Sequence, residues 1–351
     1  MDVQQEAAQY PVRFVEGRPR SASLACVMER DPTVTSELAT TPTPVLGQVP
    51  PADWPALGPF IFANNRTADG GVRCLHGDQG DDERSYVAEL AELPAGEAAF
   101  WRAAGPSGET LGVVGCEIDT RQRRAWLRGP WAIPGVAVGF GSLETALLET
   151  LERALPQIHR LDAFPSETDE TLVQVYDRAR YCRMDVHRVM QAALGNGGAA
   201  TVADSRIAPA SRGDLQQWLP LHHHLFPGSY LSDDGLAAAI GDGTRLVLTA
   251  VLDGRLVGYL VAKDDTSMDE LYVDYLGVDP AARGRGLGRG LLQHAMRWGE
   301  GRGRRQATLT VRQDRAEALS LYLQCGFRQV RAGVHWRKER VEVATLPVGE
   351  R

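Results

Sequence analysis

Two stretches of this 351-residue chain match each other at a constant spacing of 146 residues. The matched pairs are Gly112 with Gly258, Pro134 with Pro280, Tyr176 with Tyr322, and Tyr181 with Phe327. Chance similarity is the alternative in a chain rich in glycine. Four pairs nevertheless keep one spacing over about 70 residues, which favours a duplicated domain. The length agrees, because one domain usually contains about 100 to 200 residues.

The borders of the two copies are indicated by changes in composition. The segment AALGNGGAATVAD, residues 192–204, is rich in small residues and glycine, as a flexible linker is. Residues 1–45 show little periodicity and predict a poorly ordered arm. We therefore predict a first domain over residues 46–192, a linker over 193–203, a second domain over 204–345 and a tail over 346–351.

The second copy has the pattern of a mixed α/β domain. The runs RLVLTAV and LVGYLVA predict a β-hairpin that turns at Asp253 and Gly254. Beyond it we predict a strand over 270–278, a helix over 287–301, a strand over 307–311, a helix over 315–326 and a closing pair of strands over 327–343.

The overall composition narrows the class of protein. Hydrophobic residues make up 43% and charged residues 24% of the chain, as in soluble globular proteins. There is neither an apolar run of the roughly 20 residues that span a bilayer nor a signal-peptide pattern, so we expect a cytoplasmic protein. The five cysteines lie far apart without a C-x-x-C pair, which predicts neither disulfides nor structural zinc. The net charge of −7 argues against nucleic acid as a partner.

The segment ARGRGLGRGLL, residues 282–292, combines three arginines with four glycines. It lacks the third glycine of the Rossmann fingerprint and the lysine of the P-loop. Glycines let successive backbone N–H groups converge on an anion, and a following helix adds the positive end of its dipole. A solvated basic turn is the alternative, but it would not explain the alternating glycines. Seven arginines between 283 and 305 stand against one acid, which also favours a compact anionic partner.

Two motifs of the second copy resemble those of the GNAT family of N-acetyltransferases. A strand followed by RGRGLG resembles the family's pyrophosphate loop for acetyl-CoA, and AEALSLYLQCGF resembles its second signature. The internal repeat is similar to that of tandem members of the family. The resemblance implies an α/β fold of two tandem domains, each with a mixed, mostly antiparallel twisted sheet flanked by helices. It also implies transfer of acetyl from acetyl-CoA, the acyl donor, to an amine acceptor.

The resemblance further implies roles for particular residues. The backbone of Leu276 and Val278 would bind the pantetheine arm of the donor. Tyr322 corresponds to the tyrosine that donates a proton to the departing thiolate. Arg315 stands where the family often has asparagine. The phosphates would be bound by the loop of Arg283, Gly284, Arg285, Gly286, Leu287, Gly288 and Arg289.

The group that takes the proton from the amine is left open by the resemblance. Tyr272 stands at the position where the family has its glutamate base, and the carboxylates Glu270 and Asp274 flank Tyr272 in the sequence. Strand alternation places these three residues and Leu276 on one face. We predict Glu270 or Asp274 as the base, brought into place by a β-bulge, with solvated strand-end charges as the alternative.

The segment LHHHLFPGSYLSDD, residues 221–234, corresponds to the family segment that covers the acceptor cleft. Phe226, Tyr230 and one of the three histidines are candidates for the acceptor wall, with ordinary packing as the alternative. Consecutive helical residues point about 100° apart, so the histidines are not expected to bind one metal ion. No metal site is predicted.

The matching loop of the first copy, GVAVGFGSLETALL, contains no arginine. We therefore predict a degenerate first domain that binds no acetyl-CoA and has a structural or acceptor-binding role. A monomer is expected, with a dimer as the alternative. Two other functions stay open: a non-catalytic acyl-CoA sensor or interaction protein, and aminoacyl transfer from tRNA, for which the chain lacks a broad basic face.

Overall fold

The computed structural model describes residues 44–68, 70–80, 82–138, 141–195, 204–227, 229 and 231–340. These residues form two compact units. The first unit contains the described residues up to Cys74, those of Asp78–Cys182, and 337–340. The second unit contains Leu75–Gly77 and the described residues of Arg183–Trp336.

The described part of the first unit has a sheet with the strand order β1-β2-β3-β4-β7. Strands β4 and β7 are parallel, and the other neighbours are antiparallel. Strands β5 and β6 form a separate small hairpin. The strands are β1 Val45–Val49, β2 Ala98–Ala104, β3 Thr110–Asp119, β4 Arg124–Ala132, β5 Ala137–Val138, β6 Gly141–Ser142 and β7 Arg160–Ala163. The helices are α1 Gly58–Asn64, α2 Glu83–Glu92, α3 Leu143–Ala154 and α4 Glu170–Arg178, with a short 3-10 helix at Pro51–Leu57.

The sheet of the second unit has the order β14-β8-β13-β12-β11-β10-β9. Strands β12 and β13 are parallel, whereas β9 to β12 form an antiparallel series and β8 is antiparallel to β13. The strands are β8 Cys182–Ala193, β9 Ile207–Pro209, β10 Arg245–Leu252, β11 Arg255–Asp265, β12 Glu270–Val278, β13 Gln306–Arg312 and β14 Arg328–Glu339. The helices are α5 Leu215–Leu225, α6 Asp233–Ala239, α7 Leu287–Gly301 and α8 Ala316–Gln324, with 3-10 turns at Arg212–Asp214 and Pro280–Ala282.

The main elements of the two copies occur in the same order, and the β5–β6 hairpin is an addition of the first copy. Strand β4 begins at 124 and β12 at 270, α4 begins at 170 and α8 at 316, and β8 begins at 182 and β14 at 328. Each of these pairs is separated by the 146 residues of the sequence repeat. The predicted duplication and the mixed α/β class with mostly antiparallel strands are confirmed.

The border between the two compact units differs from the border between the two sequence copies at one strand, β8. By sequence, β8 is the last strand of the first copy, yet its second half pairs with β13, from Ala193 opposite Gln306 to His187 opposite Arg312. The predicted first domain, 46–192, therefore includes a strand that lies in the second unit. Local sequence patterns identify a strand but not its partner, because pairing is decided between distant segments.

Several elements of the second unit follow the sequence pattern closely. The strand over 270–278 and the helix over 287–301 have the predicted bounds. The hairpin turns at Asp253 and Gly254, whose φ values of 51° and 77° are those of a type I′ turn. The closing pair of strands is one continuous strand, β14, in the described residues, and residues 341–343 of that pattern lie outside them.

The sheet of the second unit is covered by apolar residues on both faces. Helix α7 is amphipathic and buries Leu287, Leu291 and Ala295 in the cluster that also contains Leu271 and Val273 of β12. On the other face, α5 and α6 cover a second, aromatic cluster formed by Trp218, Phe226, Tyr259 and Tyr275. Among the described helices, none combines the length and apolarity needed to cross a membrane.

A β-bulge in β12 changes which side chains share a face. The register with β11 shifts between Tyr275 opposite Val261 and Val273 opposite Ala262, which leaves Asp274 as the extra residue. Beyond the bulge, Leu276 packs against the same cluster as Val273. The prediction that Leu276 shares a face with Glu270, Tyr272 and Asp274 is therefore wrong, because one extra residue inverts the alternation.

Candidate active site

The parallel strands β12 and β13 separate before they end. Their pairing stops at Val273 opposite Leu309, although β12 continues to Val278 and β13 to Arg312. On its other side, β12 stays paired with β11 to its last residue. The backbone groups of β12 that face β13 are thus open to another extended chain beyond Val273. Leu276 lies in this open segment.

A cleft of about 830 Å³ lies at this separation and passes from one face of the sheet to the other. Leu287 and Tyr322 line it from the face covered by α7 and α8. Phe226 lines it from the opposite face, which α5 covers. Leu276 and Val278 line it from β12, so both residues predicted to bind pantetheine lie in the cleft.

The glycine–arginine loop forms one end of the cleft. Gly284 and Gly286 have φ values of +75° and +77°, a region that residues with a side chain rarely adopt. Gly286 is the N-cap of α7, and no side chain caps the first turn of this helix. The first N–H groups of α7 therefore have no intrahelical partner and are available to an anion.

The other glycines of the loop permit close packing. A methyl group at Gly288 would lie 3.2 Å from Leu321 Cδ2 of α8, and one at Gly290 would lie 2.7 Å from Ile207 Cδ1 of β9. Glycine at these positions lets α7 lie close to both elements. The four glycines of the motif thus serve two different purposes.

The arginines between 283 and 305 do not act as one group. Arg302 Nη1 lies 3.2 Å from Asp264 Oδ2, Arg304 Nε lies 3.0 Å from Asp264 Oδ1, and Arg305 binds Asp269. Asp264 lies near the end of β11, and Asp269 lies in the turn that follows this strand. Asp264 precedes Arg302 by 38 residues in the sequence. Three of the seven arginines are therefore paired with acids from outside the motif and do not belong to a free basic patch.

Two arginines of the loop line the cleft, Arg283 and Arg289. Arg283 Nη1 lies 3.5 Å from Glu317 Oε2, and Arg289 binds Gln324. Arg285 is exposed and does not line the cleft, although residues on both sides of it do. The structure thus brings together all the loop residues predicted to bind phosphate except Arg285.

Tyr322 lies on α8 and lines the cleft with 3% of its surface exposed. Burial raises the pKa of its hydroxyl, so the group keeps its proton at neutral pH. Within the described residues this hydroxyl has no hydrogen bond. At the repeat position, the hydroxyl of Tyr176 donates to the carbonyl oxygen of Gly129. The hydroxyl of Tyr322 can therefore donate a hydrogen bond to a ligand in the cleft, whereas that of Tyr176 already donates to the backbone.

The two predicted carboxylate bases do not line the cleft. Glu270 is fully buried at the start of β12, whereas the cleft lies at the end of the strand, roughly 20 Å away at about 3.3 Å per residue. Asp274 is 2% exposed, and its Oδ2 accepts a hydrogen bond of 2.8 Å from Arg245 Nη1. Neither carboxylate lines the cleft with Leu276 and Tyr322, so the geometry supports neither of them as the base.

The predicted acceptor wall is partly in place. Phe226 lines the cleft beside His224. Tyr230 lies outside the described residues. No group of three or more potential metal ligands occurs among the described residues.

The turn after β13 and the middle of β8 add residues that the sequence patterns did not single out for the cleft. Arg312 and Asp314 line it, and so does His187, which lies opposite Arg312 on the neighbouring strand. Burial lowers the pKa of His187 to about 3, so its imidazole is neutral. Arg315, the residue at the family's asparagine position, also lines the cleft. No local signal marks His187, because its strand belongs to the first copy by sequence.

The matching helix of the first unit, α3, has a side-chain cap at its first turn. Its N-cap is Ser142, and the Ser142 side chain accepts a hydrogen bond of 3.3 Å from the backbone N–H of Thr145. A side-chain cap satisfies one of the N–H groups that Gly286 leaves open in α7. The first unit also has its equivalent tyrosine, Tyr176, bound to backbone.

Comparison with known proteins agrees with this geometry. Residues 214–327 match the model of the acetyltransferase (GNAT) family, a stretch that runs from the start of α5 to the end of α8. The chain is 32% identical to the mycothiol acetyltransferase of Clavibacter sepedonicus over 170 residues, which cover 46% of this chain and 55% of the relative. It therefore spans only about half the length of that relative. The mycothiol acetyltransferase of Beutenbergia cavernae is 30% identical over 265 residues, which cover 74% of this chain and 72% of that protein.

Solved structures share the fold over most of the chain. A GCN5-related N-acetyltransferase from Sphaerobacter thermophilus has a TM-score of 0.66 at 19% identity and covers 86% of this chain and 98% of its own. A tandem GNAT protein from the clavulanic acid biosynthesis pathway has a TM-score of 0.57 at 14% identity, with 84% and 98% covered. At these identities the likeness concerns the fold alone.

Proposed function

The chain belongs to the GNAT family of acetyltransferases, and from this premise we propose that its second unit transfers acetyl from acetyl-CoA to a primary amine. The observation that carries the proposal is the open edge of β12 beside a loop built for anions. An extended pantetheine arm can pair with the backbone beyond Val273, while the phosphates meet the first turn of α7. Both features lie in one cleft.

The chemistry of the cleft is suited to attack on a thioester. A backbone N–H of the open segment around Leu276 can polarise the thioester carbonyl and stabilise the oxyanion, a type of donor that contributes about 3 kcal/mol or more to catalysis elsewhere. Tyr322 supplies a hydroxyl to the departing sulfur. Since burial raises the pKa of Tyr322, a hydrogen bond to the thiolate is favoured over full proton transfer.

The proposal is tested with the full-length chain, acetyl-CoA and a panel of primary amines. The panel contains an amino sugar, an amino acid amide, a peptide with a free N-terminus and an alkyl diamine. We expect at least one class of amine to increase the release of free thiol above the rate of hydrolysis without amine. Tight CoA binding with no thiol release from any amine would instead support the acyl-CoA sensor.

We also expect one CoA to bind per chain, in the second unit. The charged phosphates of CoA must exchange water for protein donors, and the second unit offers Arg283, Arg289 and an uncapped helix. The matching loop of the first copy has no arginine, and its helix is capped by Ser142. Calorimetric titration of the full-length chain should give a stoichiometry near one, and two equivalent sites would contradict this division.

A further inference from the structure

The three consecutive histidines near the end of α5 lie in three different environments. His222 is fully buried, and its Nδ1 lies 2.6 Å from the hydroxyl of Tyr259. Burial lowers the pKa of His222 to about 4, so it is a neutral part of the aromatic cluster. His223 lies on the surface with its Nε2 2.6 Å from Asp233 Oδ1. His224 alone of the three lines the cleft.

The helix end that carries His224 lies directly on the open segment of β12. A methyl group at Gly277 would come within 2.7 Å of Leu225 Cδ1 and 2.9 Å of Phe226 Cε2. Gly277 follows Leu276, the residue whose backbone faces the donor thioester in the proposed function. His224 precedes Leu225, is exposed, and has no hydrogen bond or ion pair within the described residues. Its imidazole is therefore available on the acceptor side of the cleft.

The other proton acceptors in the cleft are less suitable. Burial lowers the pKa of His187 to about 3, and Arg312 adds to this effect. A hydrogen bond from Arg312 lowers the pKa of Asp314. Glu317 lies at the phosphate end of the cleft, where it faces Arg283. A lowered pKa makes a weaker base, and a carboxylate beside the phosphate loop is on the wrong side for the amine.

We propose that His224 accepts the proton that the amine acceptor loses before it attacks the thioester. The inference rests on the proposed acetyl transfer and assigns to His224 the role for which no carboxylate is in place. An alkyl ammonium titrates near pH 10, so at neutral pH it needs a base before it can attack. Imidazole is the side chain whose titration lies nearest neutral pH, which suits it to this task.

The proton balance of the step is complete. The ammonium gives one proton to His224, and the neutral nitrogen forms a bond to the acetyl carbon. The carbon–sulfur bond then breaks, and the Tyr322 hydroxyl donates a hydrogen bond to the departing thiolate. The nitrogen loses a second proton as the amide forms, and the thiolate takes up one proton to become free CoA. The proton on His224 returns to water, so the net products are the amide, free CoA and one proton.

The test uses His224→Gln in the full-length chain, with His223→Gln as the matched control. Both replace a histidine at the surface of α5, but His223 points to Asp233 and not into the cleft. With an alkyl amine, we expect kcat to fall by about 100-fold in His224→Gln and to stay unchanged in His223→Gln. The affinity for CoA should be the same in all three proteins.

A second readout separates a base from a merely structural residue. A weakly basic amine such as hydroxylamine is already neutral at pH 7, so its transfer should fall much less in His224→Gln. Added imidazole should restore part of the rate in His224→Ala with the alkyl amine. Equal losses for both amines, without rescue, would overturn the role of His224.

Failure of this inference can be told apart from failure of the proposed function. If the parent protein acetylates an amine and His224→Gln is equally fast, only the role of His224 is overturned. If the parent releases no thiol with any amine, the acetyl transfer itself is overturned, and the role of His224 with it.

Discussion

Replacing Tyr322 by phenylalanine is expected to lower kcat by about 100-fold or more while leaving the affinity for CoA nearly unchanged. The substitution keeps the ring that packs against Phe327, with centroids 5.9 Å apart. It removes only the hydroxyl, which makes no hydrogen bond within the described residues and lies in the cleft. Stability should therefore change little, and the loss should appear in the breakage of the carbon–sulfur bond. Steady-state kinetics at saturating substrates measure the effect.

The repeat provides a matched control for this substitution. Tyr176→Phe removes a hydroxyl from the equivalent position, where it binds the carbonyl oxygen of Gly129. That carbonyl would be left buried without its partner, which costs about 1 to 3 kcal/mol of stability. We expect Tyr176→Phe to lower the unfolding midpoint and leave kcat unchanged. A Tyr322→Phe enzyme as fast as the parent would make Tyr322 a packing residue only.

Replacing Gly286 by valine is expected to lower CoA affinity by at least about 100-fold. Valine disfavours the φ of +77° at this position, so the loop must turn and move the first N–H groups of α7 away from the phosphate. Two hydrogen bonds to a charged group at about 1.5 kcal/mol each amount to about 3 kcal/mol, or roughly 100-fold in affinity. Calorimetric titration of CoA into the variant measures this loss.

Gly303→Val is the control for backbone strain. Gly303 also has a φ of +77°, and a methyl group there would likewise meet no atom within 4 Å. It follows the end of α7, away from the loop, and does not line the cleft. The two variants should lose similar stability, but only Gly286→Val should lose CoA. Equal CoA affinity in both variants, each folded, would show that the loop does not bind the phosphates.

The duplication, the bounds of β12 and α7 and the loop glycines with a positive φ follow from the sequence alone. Strand β12 and helix α7 have the predicted bounds because alternation and helical periodicity are properties of neighbouring residues. Gly284 and Gly286 could be singled out for the same reason, since a positive φ is a local demand that glycine meets. Such features depend on a few consecutive residues, and those are visible in any single sequence.

Which charged side chains near the site are paired and which are free could be seen only in the tertiary structure. Arg302 and Arg304 look like members of a basic patch, but Asp264 approaches them from an earlier strand. Asp274 looks like a free base beside the cleft, but Arg245 of β10 binds it. A side chain's electrostatic role depends on partners tens of residues away, and no spacing within the motif reveals them.

Sequence patterns thus determined the local secondary structure of these segments, and the tertiary structure decided which residues surround each side chain. The three histidines of α5 are equivalent in the sequence, and helical geometry alone separates their directions by about 100° each. Only the packing of α5 on β12 places His222 in the core, His223 beside Asp233 and His224 in the cleft. Backbone preferences act over a few residues, whereas the environment of a side chain is set by contacts between distant parts of the chain.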